Sequence, residues 1–234
     1  GVVNIITRKP QSDKTIRLDS EAGSYASYKQ VAEVAGTHND VSFYTLARHF
    51  RSAGYRENND IEANDFALKL GYPFRDYFKT QLNFGYHADA YGLPGALRDD
   101  ELNTLGRRAT VNPLDDAETK DYFANLLVEN DLEEKGKLST DVSMRVRSVK
   151  SNYMTSFPWQ TDNHITTFGL TPRYCIKQAL FNRDNKLTVG LDYYDTLDHI
   201  KDGEPNVENN VVNISKRSVG VYFLNQFFLN ERTS

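Results

Sequence analysis

Tyr77-Phe78-Lys79-Thr80-Gln81-Leu82-Asn83-Phe84-Gly85-Tyr86-His87 carries two unlike faces. Phe78, Thr80, Leu82, Phe84 and Tyr86 are apolar, aromatic or β-branched; Lys79, Gln81, Asn83, Gly85 and His87 are polar or small. Side chains alternate sides along a strand, so this stretch is a β-strand with one oily and one wet wall. A tight turn, Pro73-Phe74-Arg75-Asp76, precedes it. The longest irregular segment of the chain, 88–118, follows it.

Working outward, the same unit recurs. Phe66, Leu68, Leu70 and Tyr72 alternate with Asp65, Ala67, Lys69 and Gly71. Leu138, Thr140, Val142, Met144 and Val146 alternate with Ser139, Asp141, Ser143, Arg145 and Arg147. The pattern predicts ten strands, near 14–22, 28–37, 41–51, 61–72, 77–87, 119–130, 137–149, 164–176, 186–196 and 213–229. Two fit imperfectly. The third places Arg48 with Tyr44 and Leu46, and the tenth is apolar on both faces from Val219 to Leu224.

The connections alternate in length. They are short at 38–40, 73–76, 131–136 and 177–185, and longer at 52–60, 88–118, 150–163 and 197–212. A soluble sandwich has no reason to sort loops by end. A membrane β-barrel does, with short periplasmic turns and long extracellular loops. Strands of about 9–13 residues also suit a tilted span, which needs roughly 9–11. Arg145 and Arg147 are costly in lipid and comfortable toward a water-filled or plugged lumen.

Composition agrees. The 234 residues are 26% charged with a mean hydropathy of -0.61, which excludes a helical membrane protein but not a barrel. Aromatics make up 12%, which suits strands and interfacial rings. The net charge of -4 leaves no footprint for nucleic acid. Cys175 is the only cysteine, so neither an intrachain disulfide nor a cysteine metal cage is possible, and its place in a strand points to inert packing.

Catalysis finds no support. His38, His49, His87, His164 and His199 share no metal spacing, so no metal or other cofactor is expected. The acidic stretch Asp202 to Asn210 lacks the EF-hand pattern. Asp115-Asp116 and Arg98-Asp99-Asp100 read as solvated loop charges. Asn213-Ile214-Ser215 matches a glycosylation triplet and is read as coincidental. Binding is the better expectation, because aromatic and arginine side chains on outer loops anchor bulky ligands. The candidates are Tyr91, Arg98, Arg107, Arg108, Tyr153 and Trp159; for Tyr153 and Trp159 a place in an interfacial aromatic girdle stands beside that reading.

Three stretches carry a family resemblance. Gly1-Val2-Val3-Asn4-Ile5-Ile6-Thr7-Arg8-Lys9-Pro10 resembles the last strand of the plug domain of TonB-dependent outer-membrane receptors. Tyr91-Gly92-Leu93-Pro94-Gly95-Ala96-Leu97 resembles an extracellular loop motif of such receptors, and Val221 to Glu231 a mid-barrel strand before a periplasmic turn. The resemblance implies an all-β fold: residues 1–10 ending a plug, and 11–234 forming about ten strands of a 22-stranded antiparallel transmembrane barrel. On that reading the chain is part of a longer protein. It also implies the Gram-negative outer membrane, lipid contact, and coupling to the TonB complex. The implied ligand is a scarce solute such as a ferric siderophore, with haem, cobalamin and oligosaccharides open. A passive porin-like channel and a soluble carbohydrate-binding β-protein are the alternatives.

Overall fold

The structure, a computed structural model, describes residues 14–228 except 156, 182, 206, 208 and 209. The segment 1–10 expected to end a plug therefore lies outside the described residues. Ten strands form one antiparallel sheet, each paired with its neighbours in sequence. They are β1 Thr15–Gly23, β2 Ser27–His38, β3 Val41–Ser52, β4 Ile61–Arg75, β5 Phe78–Gly92, β6 Asp116–Asp131, β7 Lys137–Tyr153, β8 Trp159–Leu180, β9 Arg183–Gly203 and β10 Asn210–Phe227. One short helix, α1 Asp99–Leu105, lies between β5 and β6, where no helix is expected from the sequence.

Several strands overrun their expected lengths. β8 reaches 22 residues and β9 reaches 21, against about 13 and 11 expected. The extra residues fall at both ends of these strands. Toward the long loops the outward side chains added to β8, Gln160 and Asp162, are polar, so apolar alternation ends there before the backbone ladder does. A ladder needs hydrogen-bond partners, not oil, so it continues into water.

With these longer strands the longest connections still share one end, although 132–136 is as long as 154–158 and longer than 24–26. At one end the connections are 39–40, 76–77, 132–136 and 181–182; at the other they are 24–26, 53–60, 93–115, 154–158 and 204–209.

Cross-strand register fixes which side chains share a face. Arg48 pairs with Asp65, Asp65 with His87, and His87 with Asp121. Directly opposite residues point the same way. A hollow of about 900 Å³ touches this face on seven strands, from Leu46 and Arg48 of β3 to Tyr194 of β9, so this is the concave side. Lys79, Gln81, Asn83 and His87 belong to it by parity, while Phe78, Leu82, Phe84 and Tyr86 point outward. The outward face is apolar and open: Leu82 is 42% exposed and Val221 75%. Aromatic contacts edge this belt, with Tyr86–Tyr122 rings at 5.0 Å toward the long loops and Tyr72–Phe74–Phe78 toward the short turns.

The described residues form no conventional core. Among the described residues Ala63 and Ala117 are the only buried apolar side chains. The accessible surface is 16390 Å². A compact chain of 26.7 kDa would expose about 11,000 Å². A single curved layer has no second layer to bury its oily wall.

Aromatics on the concave face have their own logic. Tyr222 lies opposite Gly190, Tyr194 opposite Gly169 and Phe123 opposite Gly85. A Cβ on Gly190 would fall 2.2 Å from the Tyr222 ring, and one on Gly169 would fall 2.9 Å from that of Tyr194. The Tyr222 and Tyr194 rings each lie over a bare glycine backbone, whereas Phe123 approaches the Gly85 position only with its Cβ, at 4.0 Å. This accounts for Tyr222 in β10, the strand that reads as apolar on both faces; Leu224 has the same parity and is exposed. Val219, Val221 and Phe223 point outward, whereas Tyr222 covers the glycine across the ladder.

Candidate functional site: the long-loop rim

The long-loop end is stitched into one rim. Arg56, in the 53–60 loop, reaches into the 93–115 loop. Its Nη1 donates to Gly95 O at 2.5 Å, its Nη2 to Pro94 O at 3.2 Å and Ala109 O at 2.8 Å, and its Nε to Ala109 O at 3.0 Å. Asn58 Nδ2 donates to the carbonyls of Asn112 and Asp115 at 2.6 and 2.8 Å. The Glu57 amide donates to Arg108 O at 2.8 Å. A guanidinium is a rigid fork of donors, so it suits gathering carbonyls from two arms of a loop.

The Tyr91-to-Leu97 motif now has a physical account. Gly92 lies where a Cβ would fall 2.5 Å from Asn58 O, so the end of β5 meets the 53–60 loop backbone to backbone. Gly95 has φ +70°, a left-handed conformation that glycine adopts at no steric cost. Pro94 turns the chain between them, and its carbonyl also accepts from Thr110 Oγ1 at 3.0 Å.

Asp115 does not fit the expectation of a solvated loop charge. It is 3% exposed, and its Oδ1 accepts from the amides of Met154 and Thr155 at 2.8 and 2.9 Å. It ties the 93–115 loop to the 154–158 loop. Asp116 is exposed and accepts from Asn152 Nδ2 at 2.7 Å.

The six expected ligand contacts divide by position. Tyr91 ends β5 on the concave face, half-buried and paired with Ile61 and Ala117. Arg98 precedes α1, and its guanidinium is held by Glu101 Oε1 at 3.0 Å. The Glu101 carboxyl also accepts from the Arg98 amide, at 2.8 Å. These two bonds, the guanidinium's foremost, hold the Glu101 carboxyl below its usual range. Arg107 is exposed just beyond α1. Arg108 is committed elsewhere. Its guanidinium lies 6.0 Å from the Tyr25 ring and 5.9 Å from the Tyr55 ring, joining three loops. Tyr153 and Trp159 end β7 and begin β8 as a directly opposed pair. Their parity is that of Arg145 and Arg147, the concave face, rather than that of an outward girdle. Phe157 stacks on Trp159 with centroids 6.2 Å apart.

Below the rim, the concave wall is ionic. Arg48 Nε donates to Asp65 Oδ2 at 2.6 Å, and His87 bridges Asp65 and Asp89 at 2.8 and 3.0 Å. Arg145 and Asp121 form a bidentate pair. Among the described residues no group of histidine, cysteine and carboxylate side chains is arranged to hold a metal ion.

A curved antiparallel meander with an oily outside, an ionic inside and its longest loops at one end is the architecture of a membrane β-barrel wall. Solved structures bear this out at the level of fold. The ferric citrate transporter FecA aligns over 96% of this chain with a TM-score of 0.83 at 15% identity. The P. aeruginosa receptor FpvA, bound to heterologous pyoverdines, aligns over 96% with a TM-score of 0.82 at 12% identity. The alcaligin outer-membrane receptor FauA of Bordetella pertussis gives 0.77 over 96% at 10% identity. The chain spans 37%, 36% and 35% of those three proteins. No protein-family model matches the chain, and no curated protein matches it in sequence.

Proposed function

We propose that this chain is part of a TonB-dependent receptor of the Gram-negative outer membrane that takes up a ferric siderophore. The observation that carries the reading is a coincidence of place. The interlocked rim, with its aromatic and cationic side chains, crowns the concave side of a sheet whose outward face is suited to lipid. Loops held by Arg56, Asn58 and Asp115 are already ordered, which lowers the entropy a ligand must overcome. Tyr91, Arg98, Arg107, Arg108, Tyr153 and Trp159 are the proposed contacts. Arg107, Tyr153 and Trp159 lead, because Arg108 is engaged between two tyrosines. Residues 1–10 are assigned to the end of a plug and 11–234 to the barrel wall. Among the described residues there is no apolar core of the kind the soluble alternative would require.

The test is uptake of ⁵⁵Fe-labelled siderophores by iron-starved cells expressing the full-length protein, in hosts with and without TonB. Uptake that needs TonB, and that falls at least tenfold in Arg107→Ala/Trp159→Ala, is expected. Equal uptake in both hosts would favour the passive channel.

A further inference from the structure

On the β8–β9 side of the rim, two aromatic rings and a carboxylate share one patch of concave wall. Tyr153 and Trp159 oppose each other across β7 and β8. Thr161 follows Trp159 on the same face of β8, and Asp202 of β9 is directly across from it. Asn163 is the next residue of that parity. Trp159 and Asn163 are therefore diagonal neighbours of Asp202, each about 7–8 Å from it.

The patch lacks a cation of its own. Asp202 is half-buried, and its cross-strand neighbours, Thr161 and Asn210, are neutral. Lys201 has outward parity, and Lys150, also outward, pairs with Glu118 at 3.6 Å. The cations on this part of the concave face are Arg147, four residues from Ser151, and Lys216, six from Asn210. At strand rise those steps put them roughly 13 and 20 Å farther from the rim than Asp202. Arg107 adjoins Arg108, whose guanidinium lies by the Tyr25 and Tyr55 rings on the β1–β4 side. Asn163 Oδ1 is buried without a hydrogen-bond partner, a cost that a donor from a ligand would remove. Phe157 stacks on Trp159, and among the described residues Arg108 alone lies over aromatic rings.

We infer that the siderophore proposed above carries a protonated amine, and that this arm docks here, its ammonium shared by the Asp202 carboxylate and Asn163 Oδ1 beside the Trp159 and Tyr153 rings. An ammonium brings three donors and no acceptor, which matches a patch of acceptor oxygens. Tryptophan is the best of the aromatic faces for a cation. A hard metal ion fits poorly, because calcium takes about six to eight oxygen ligands and the described residues offer no metal-holding group. An anionic arm would meet Asp202 with no cation beside it to offset the repulsion.

This inference rests on the receptor reading and narrows it to one class of ligand. It is tested on the full-length protein in mild detergent with ferric trihydroxamate, triscatecholate and hydroxycarboxylate complexes. Each is prepared with a free aminoalkyl arm and with that amine acetylated, so the two forms share an iron centre and differ by one charge. For a core that binds, the wild type is expected to hold the amine form at least tenfold more tightly than the acetylated form. Asp202→Asn should bring the two within twofold and leave the affinity for the acetylated form unchanged, which also shows that the variant is folded. Asp162→Asn, of outward parity on β8 and opposite Lys201, should change nothing. Equal binding of the two forms, tighter binding of the acetylated form, or a preference that survives Asp202→Asn would overturn the amine site and leave the receptor reading standing. Binding of no core in either form would overturn both.

Discussion

Arg56 commits its guanidinium to main-chain oxygens of a neighbouring loop, so its removal acts on order rather than on charge. Hydrogen bonds to a charged donor contribute about 1.5–3 kcal/mol each when half-buried. Arg56→Ala should cost the 93–115 loop about 2–4 kcal/mol of local stability, and Arg56→Lys should recover little because an ammonium cannot fork. Hydrogen exchange should quicken across 93–115 while β5 and β6 keep their protection; equally fast exchange in both would assign Arg56 a global role. Glu101 gives a pH-dependent counterpart. Its carboxyl is held low in the folded loop by Arg98, so the support is complete above the ordinary glutamate pKa. It fades as pH falls through the depressed folded value. The start of α1 should fray at acidic pH in the wild type, and Glu101→Gln should lack that transition by NMR. None of these roles was legible beforehand. A lone arginine in a polar connection looks the same whether it gathers carbonyls or meets water, and Asp115 carries no mark of its burial. The glycines of the Tyr91-to-Leu97 motif did signal a shaped loop, though not that Gly92 is pressed against Asn58.

At the scale of the strand, alternation proved a dependable guide to faces and a poor one to ends. Period-two patterning reports the medium on each side, so it located the Leu82 and Gln81 walls of β5. It went silent where β8 runs on toward the long loops and Gln160, Thr161, Asp162 and Asn163 put polar side chains on both faces. Arg48, which looked misplaced beside Tyr44 and Leu46, is on the concave wall with Asp65, a pairing that lies 17 residues apart in sequence. Two substitutions one residue apart test the faces directly. Leu82→Arg should lose about 2–4 kcal/mol in urea unfolding of the bilayer-inserted full-length protein, the usual cost of an arginine near the midplane. Gln81→Arg should stay within about 0.5 kcal/mol. Equal effects would mean that the wall is solvated on both sides. The glycine–aromatic pairs yield another test: Gly190→Val must displace the Tyr222 ring, and its loss should shrink to near nothing in Gly190→Val/Tyr222→Ser.

At the scale of the molecule, stability cannot come from a core, because the described sheet has none. What holds it is a nearly continuous backbone ladder, cross-strand side-chain pairs, and whatever covers the outward face. The hydrophobic effect, which normally drives side chains inward, here favours any medium that removes Phe66, Met144, Phe168 and Val221 from water. Exposed apolar surface on this scale is otherwise an association hazard. β1 and β10 add to it, since among the described residues each borders one neighbour in the sheet, and a strand at a sheet edge presents its backbone groups to whatever lies beside it. In hydrocarbon every such group needs a partner. The 234-residue chain on its own should therefore fail to form a monodisperse monomer in detergent-free buffer, and in detergent micelles it should associate through its edges into multimers of defined strand content. Size-exclusion chromatography with light scattering distinguishes the outcomes. A stable monomer in plain buffer, with near-ultraviolet dichroism showing ordered tyrosines, would mean that the outward face is covered by protein rather than lipid, and the membrane reading would fall with it.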